Sequence, residues 1–169
     1  AFSGVFQGNG HSIKGLKMDN TNNEGYKDAG YKRGAGLFCS LKDATVENLV
    51  IESSCSFTSY DYAGALSVSL DGSLTVKNVT NKAVVRNYGF RAGGFIGYVE
   101  HLKQPLTVSF DQCVNDGNVM GGDGFVGGFV GFIAYNTNVT LAIINSINNG
   151  KVTGVGLCWR VCWRYFKKY

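Results

Sequence analysis

Self-similarity limits this chain more than any other feature: two short motifs alternate along it, and a sequence that repeats at a fixed period folds as repeating units. The first motif is a small pair followed by an apolar stretch. It occurs at Ala35-Gly36-Leu37-Phe38-Cys39, Ala63-Gly64-Ala65-Leu66-Ser67, Gly93-Gly94-Phe95-Ile96-Gly97 and Gly127-Gly128-Phe129-Val130-Gly131, and a fifth copy begins at Gly156-Leu157-Cys158. The second motif shows best when Leu106 through Val119 is laid on Val139 through Val152 without a gap. Looser copies start at Ala44-Thr45-Val46 and Leu74-Thr75-Val76, and the copies recur at a spacing of about thirty residues.

Each copy offers two or three short strands with apolar residues at every second position, separated by Gly, Asn and Asp turns. Before the last dozen residues no helical periodicity competes with this pattern. One copy cannot bury its apolar face alone. Stacked copies can, and stacking puts Leu49, Val79, Val114 and Ile147 in one inward column and Val84, Val119 and Val152 in another. The expected fold is a β-solenoid of about five rungs, in one domain over residues 1–157. Gly is 24 of the 169 residues and Pro occurs once, which suits tight turns between strands rather than a flexible linker. Asn115-Asp116-Gly117 and Asn148-Asn149-Gly150 supply corner residues that tolerate positive φ and hydrogen-bond their own backbone. Lys17 to Arg33 and Tyr98 to Pro105 read as irregular loops on the outside.

These residues resemble a known pattern, the Gly-Leu-Val-Gly (GLUG) repeats of bacterial and protist surface proteins. The stretch from Phe2 to Leu16 looks like the one that precedes the first such repeat, with Gln7 where Asp is more usual. Gly93 to Gly97 and Gly127 to Gly131 are similar to the core motif, and Asn149 to Gly154 to its companion turn. Ala63-Gly64-Ala65-Leu66 departs from it by lacking the double Gly. The resemblance covers residues 1 to 157. It implies a right-handed parallel β-helix in a large secreted or surface-attached adhesin, and it implies no catalytic residue or cofactor.

The remaining chemistry is sparse. The formal charge of +4 is concentrated at the C-terminal end, in Arg160, Arg164, Lys167 and Lys168, so the body is nearly neutral and gives no nucleic-acid footprint. Five cysteines form no evident disulfide framework, and Cys39 and Cys113 sit in apolar strand patterns as small buried thiols. His11 and His101 lack Cys or carboxylate neighbours at metal-ligand spacing. A polysaccharide-binding or polysaccharide-cleaving β-helix is an alternative reading, but cleavage needs converging carboxylates. Asp111, Asp116 and Asp123 come nearest, and Asp116 shares a repeated corner with Asn149.

Four threonines, Thr45, Thr75, Thr107 and Thr140, recur at one place in the repeat and would form an outward ladder. Such an array suits ice, although the next outward positions, Glu47, Lys77, Ser109 and Ala142, break a flat face. Asn78-Val79-Thr80 and Asn138-Val139-Thr140 are N-glycosylation sequons, used only on a eukaryotic secretory route. The segment 158–169 repeats Cys-Trp-Arg at 158–160 and 162–164 and is too short to cross a membrane. As a helix it would stripe Trp159 with Trp163 and Arg160 with Arg164 towards an anionic interface. As a cap its aromatics, with Tyr165 and Phe166, would cover the last rung, and solenoids need caps because terminal strands expose unpaired backbone groups. The expected protein is therefore a non-enzymatic, extracellular or cell-surface module. It would work through binding or self-assembly with other copies, or with a host or cell-surface protein or glycan.

Overall fold

The computed structural model describes residues 1–21, 34–100, 104–135, 138–159 and 162–164. Among them the chain winds in coils. The first coil holds β1 (Phe2–Gln7), β2 (Ser12–Ile13), β3 (Lys17–Asn20) and β4 (Gly34–Ala35), then enters β5 (Phe38–Ile51), which ends that coil and begins the next. β6 (Ser56–Ser59), β7 (Tyr62–Gly64) and β8 (Ser67–Leu70) complete the second. The third is β9 (Leu74–Asn81), β10 (Val84–Asn87), β11 (Arg91–Gly93) and β12 (Ile96–Val99). The fourth is β13 (Leu106–Asp111), β14 (Val114–Asn115), β15 (Val119–Met120), β16 (Phe125–Gly127) and β17 (Val130–Ile133). The fifth is β18 (Val139–Ile144), β19 (Ile147–Asn148), β20 (Val152–Thr153), β21 (Cys158–Trp159) and β22 (Cys162–Arg164).

Equivalent strands of successive coils pair in parallel, giving four faces five strands deep. The first face is β1, the second half of β5, β9, β13 and β18. The second runs β3, β6, β10, β15, β20, and the third β4, β7, β11, β16, β21. The fourth is the start of β5, then β8, β12, β17 and β22. The architecture is a right-handed parallel β-solenoid, all β among the described residues.

Alternation within each strand builds the core. Phe6, Val46, Val76, Phe110 and Ile143 stack in one inward column, and Ala35, Ala63, Ala92 and Val126 in another. Phe95, Phe110 and Phe129 fill the centre with ring centroids 5.2–5.4 Å apart. The glycines of the first motif make the corner between third and fourth faces. A Cβ on Gly93 would run into the carbonyl oxygen of Ile96 in its own coil and the amide nitrogen of Gly131 in the next.

The stacking is as expected, but the register differs in detail. Leu49 stacks on Val79, whereas Val114 stacks on Thr80 and Ile147 on Val114, one residue out of that column. The residue that sits two past Asp111 and fills the Val79 place is Cys113, fully buried, while Ile147 is exposed. In the second column the partner of Val119 is Val85, not Val84, and Phe57 and Met18 continue it. The first motif also shifts: Gly64-Leu66-Ser67 lies beside Gly93-Phe95-Ile96, and the fifth copy enters register at Cys158, opposite Val126.

The positive-φ corner is likewise one step earlier than expected. Asn48, Asn78, Gln112 and Asn145 take left-handed φ of 57°, 51°, 54° and 48° just after the first face. Asn115 and Asn148 instead hydrogen-bond their own backbone. Asn115 Nδ2 donates to the Gly117 carbonyl (3.1 Å) and Asn148 Nδ2 to the Gly150 carbonyl (3.0 Å). Lys17–Asn20 and Tyr98–Val99 are strand rather than loop.

Candidate contact surfaces

Between coils, polar side chains are used for stacking. Inside the corner after the first face, Asn81 Nδ2 donates to Asn115 Oδ1 (2.8 Å) and Asn115 Nδ2 to Asn148 Oδ1 (2.7 Å). Asn81 and Asn115 are fully buried. Asn81 also donates to the Gly94 carbonyl and accepts from the Ala83 amide, so burial leaves its amide satisfied. Outside, Asn78 Nδ2 donates to Asn48 Oδ1 and Asn48 Nδ2 to Gln7 Oε1. The interior ladder begins only in the third coil, because Ile13 and Ile51 hold its column below.

The outward Thr ladder does not form. Thr45 stacks on Thr75, but Thr75 stacks on Ser109 and that on Ala142. Thr107 and Thr140 pair with each other two positions away. The third coil is joined to the fourth after a longer connection, so the second motif slides by two residues. All four threonines face outward, yet they make two separate pairs, which removes the basis for an ice-binding row.

Two aromatic groups lie on the outside, and sequence reasoning singled out neither. At the concave corner between third and fourth faces the Arg91 guanidinium sits 5.3 Å from the Tyr62 ring, 4.7 Å from Tyr98 and 4.4 Å from Phe132. Its Nη1 donates to the Tyr62 hydroxyl at 3.0 Å, and Phe125 stacks on Phe132. Burial, then the Glu100 charge, pushes the Tyr98 phenol above its ordinary pKa. This cluster ties coils two, three and four together from outside. At the convex corner between second and third faces, Tyr60, Tyr88 and Phe90 are 42%, 53% and 54% exposed, with the Arg86 guanidinium 6.0 Å from the Tyr88 ring. Tyr88 follows Asn87 as Tyr60 follows Ser59, and Asn87 pairs with Ser59. That recurrence of a tyrosine just past a small polar residue was the available signal.

The other expected residues are dispersed. Asp111 faces outward on the first face, where Asn145 Nδ2 donates to it, Asp116 accepts from Asn149 at the next corner, and Asp123 lies in the turn before β16. These carboxylates do not converge. Cys113 is buried, as expected, and that burial pushes its thiol pKa up, but Cys39 is exposed, and among the described residues the other buried thiol is Cys55. Among the described residues no three His, Cys, Asp or Glu side chains gather as a metal would need, and no helix is long and apolar enough to cross a membrane. His101 lies outside the described residues.

Asn78 and Asn138 are both exposed, Asn78 in β9 and Asn138 just before β18. At the C-terminal end Cys158–Trp159 and Cys162–Arg164 are strands paired with the fourth coil, not a helix. Trp159 is 52% exposed and, with Asn148 to Val152 and Cys158, lines an open depression of about 350 Å³. Arg160, Tyr165 and Phe166 lie outside the described residues, as do the side chains of Trp163 and Arg164. No family model, curated protein or solved structure matches this chain.

Proposed function

We propose that the chain is a non-enzymatic structural and adhesive module of a larger secreted or cell-surface protein. It works by contact, along its sides, with other protein copies or with a protein or glycan on a cell surface. The observation that carries this reading is the exposed aromatic corner of Tyr60, Tyr88 and Phe90 with Arg86, held on a stiff frame. Tyr, Phe and Arg are the residue types that dominate contact energetics, because they offer large flat area for few rotatable bonds. The frame is stiff because its buried asparagines are spent on coil-to-coil ladders. The likeness of residues 93–97 and 127–131 to GLUG repeats adds the surface-protein setting. On a eukaryotic secretory route Asn78 and Asn138, both exposed, are the residues to carry glycans.

The test is adhesion of beads coated with the chain to arrayed cell-surface glycans and matrix proteins, beside beads coated with a Tyr88→Ser, Phe90→Ser variant. The expected result is retention on at least one class of surface, falling about tenfold or more in the variant while its far-UV dichroism stays unchanged. Equal retention of both proteins, or of neither, counts against the corner as the working surface.

A further inference from the structure

Met120 carries chemistry that the rest of the second face does not use. It pairs with Arg86 across β10 and β15. Its neighbour Val119 is fully buried, so by strand alternation the half-buried Met120 lies on the outward side. Met18, the chain's other methionine, stands in the inward column beside Phe57 and packs against the core. Arg86 Nη2 donates to the Met120 sulfur at 3.6 Å, a reach that suits the large sulfur atom, and no other described residue donates to it.

Arg86 has no stronger partner among the described residues. It pairs with no carboxylate, and its remaining contact is the Tyr88 ring, 6.0 Å away. A thioether is a weak acceptor, and a ring centroid at about 6 Å is the outer limit of cation–π attraction. The guanidinium is therefore held loosely on both sides. A better acceptor at Met120 would capture it, because a hydrogen bond from a charged donor to an oxygen is roughly twice as strong as a neutral one. Oxidation supplies that acceptor by turning the apolar thioether into a polar, chiral sulfoxide.

We propose that Met120 is an oxidation site shaped by Arg86: a hydroperoxide delivers oxygen to the sulfur lone pair that the guanidinium leaves open, and the sulfoxide oxygen then draws Arg86 off the Tyr88 ring. In that step the sulfur gives an electron pair to one peroxide oxygen. The S–O bond forms, the O–O bond breaks, and the proton on the transferred oxygen passes to the departing hydroxide, which leaves as water. Sulfur is oxidised by two electrons and the peroxide is reduced. Oxygen on one lone pair or the other gives opposite epimers, so a covered lone pair leaves a stereochemical record. Met120 has the three rotatable bonds needed to swing the new oxygen round to Arg86. The inference stands whether or not the aromatic corner adheres, because it is read on the chain alone.

The test treats the full chain carrying Met18→Leu, a volume-conserving change, with dilute hydrogen peroxide, once folded and once in urea. After digestion, the peptide holding Met120 is given to the two methionine sulfoxide reductases, each of which reduces one epimer. In the folded chain one epimer should exceed the other at least about threefold, whereas in urea the two should be nearly equal. Folded Arg86→Ala and Arg86→Leu variants should also give nearly equal epimers, the second because it keeps bulk but no donor. A Met120 left unoxidised in the folded chain at a dose that oxidises it in urea overturns the proposal. So do equal epimers with Arg86 in place, or the same excess in the Leu variant. Nitrogen NMR reads the capture: the Arg86 guanidinium signals move on oxidation, and signals that stay in place overturn it.

Discussion

At the scale of single residues, stability rests on a few side chains with many neighbours. Phe110 is fully buried with its ring 5.4 Å from Phe95 and 5.2 Å from Phe129. Phe110→Ala empties the centre of the coil and should cost about 3–5 kcal/mol, measured by urea unfolding. Asn115 holds both neighbours in the interior ladder, so Asn115→Ala leaves Asn81 and Asn148 each short of a partner. Asn81 Nδ2 keeps the Ala83 and Gly94 carbonyls and Asn148 is only half-buried, so a loss of about 1–3 kcal/mol in all is expected from the same measurement. Cys113 gives a pH prediction. Burial raises its folded-state pKa, so its contribution to stability is present below the unfolded thiol's value, about 8.5, and is lost as pH rises towards the folded value. Urea midpoints from pH 7 to 10 should fall more steeply for wild type than for Cys113→Ala, and parallel slopes would contradict the assignment.

At the scale of elements, strands and turns are legible in the sequence because apolar residues alternate and Gly, Asn and Asp punctuate them. Register is less legible. Counting back from Val119 lands on Val84, yet the observed partner is Val85; a count on type alone does not reveal where one coil takes an extra residue. Thr75 and Thr107 look equivalent for the same reason. Cys113 escaped notice as a column residue because Gln112 before it turns through a left-handed corner, a conformation Asn more commonly signals. The glycine corner was legible as a motif, but its cause is the close approach of backbone from the same coil beyond the bend and from the next coil. Gly93→Ala should therefore destabilise more than the same change at an exposed turn glycine such as Gly10, where an added Cβ meets nothing but φ is +76°. Thermal melts of the two variants compare them directly.

At the scale of the whole molecule, each coil is held by the coil before and the coil after, as in any quasi-one-dimensional stack. The end coils have one neighbour and half-exposed core residues, Phe2 and Phe6 at one end and Leu141 and Ile143 at the other. Amide hydrogen exchange should be slowest in β9 and β13 and fastest in β1 and β18. The Arg91 cluster exists only at this scale, since Tyr62, Arg91 and Phe132 come from three different coils, whereas the exposed corner is partly local, with Arg86, Tyr88 and Phe90 in one stretch of the third coil and Tyr60 in the coil below.

The pairing of every column depends on one claim, the observed register, and cysteine cross-linking tests it most directly. In a background with Cys39, Cys158 and Cys162 replaced by serine, Thr75→Cys with Ser109→Cys places two thiols on stacked residues about 4.8 Å apart, within disulfide reach. Thr75→Cys with Thr107→Cys places them roughly 8 Å apart, beyond it. The register predicts rapid oxidation of the first pair and little of the second; the reverse would restore the four-threonine ladder and contradict the account.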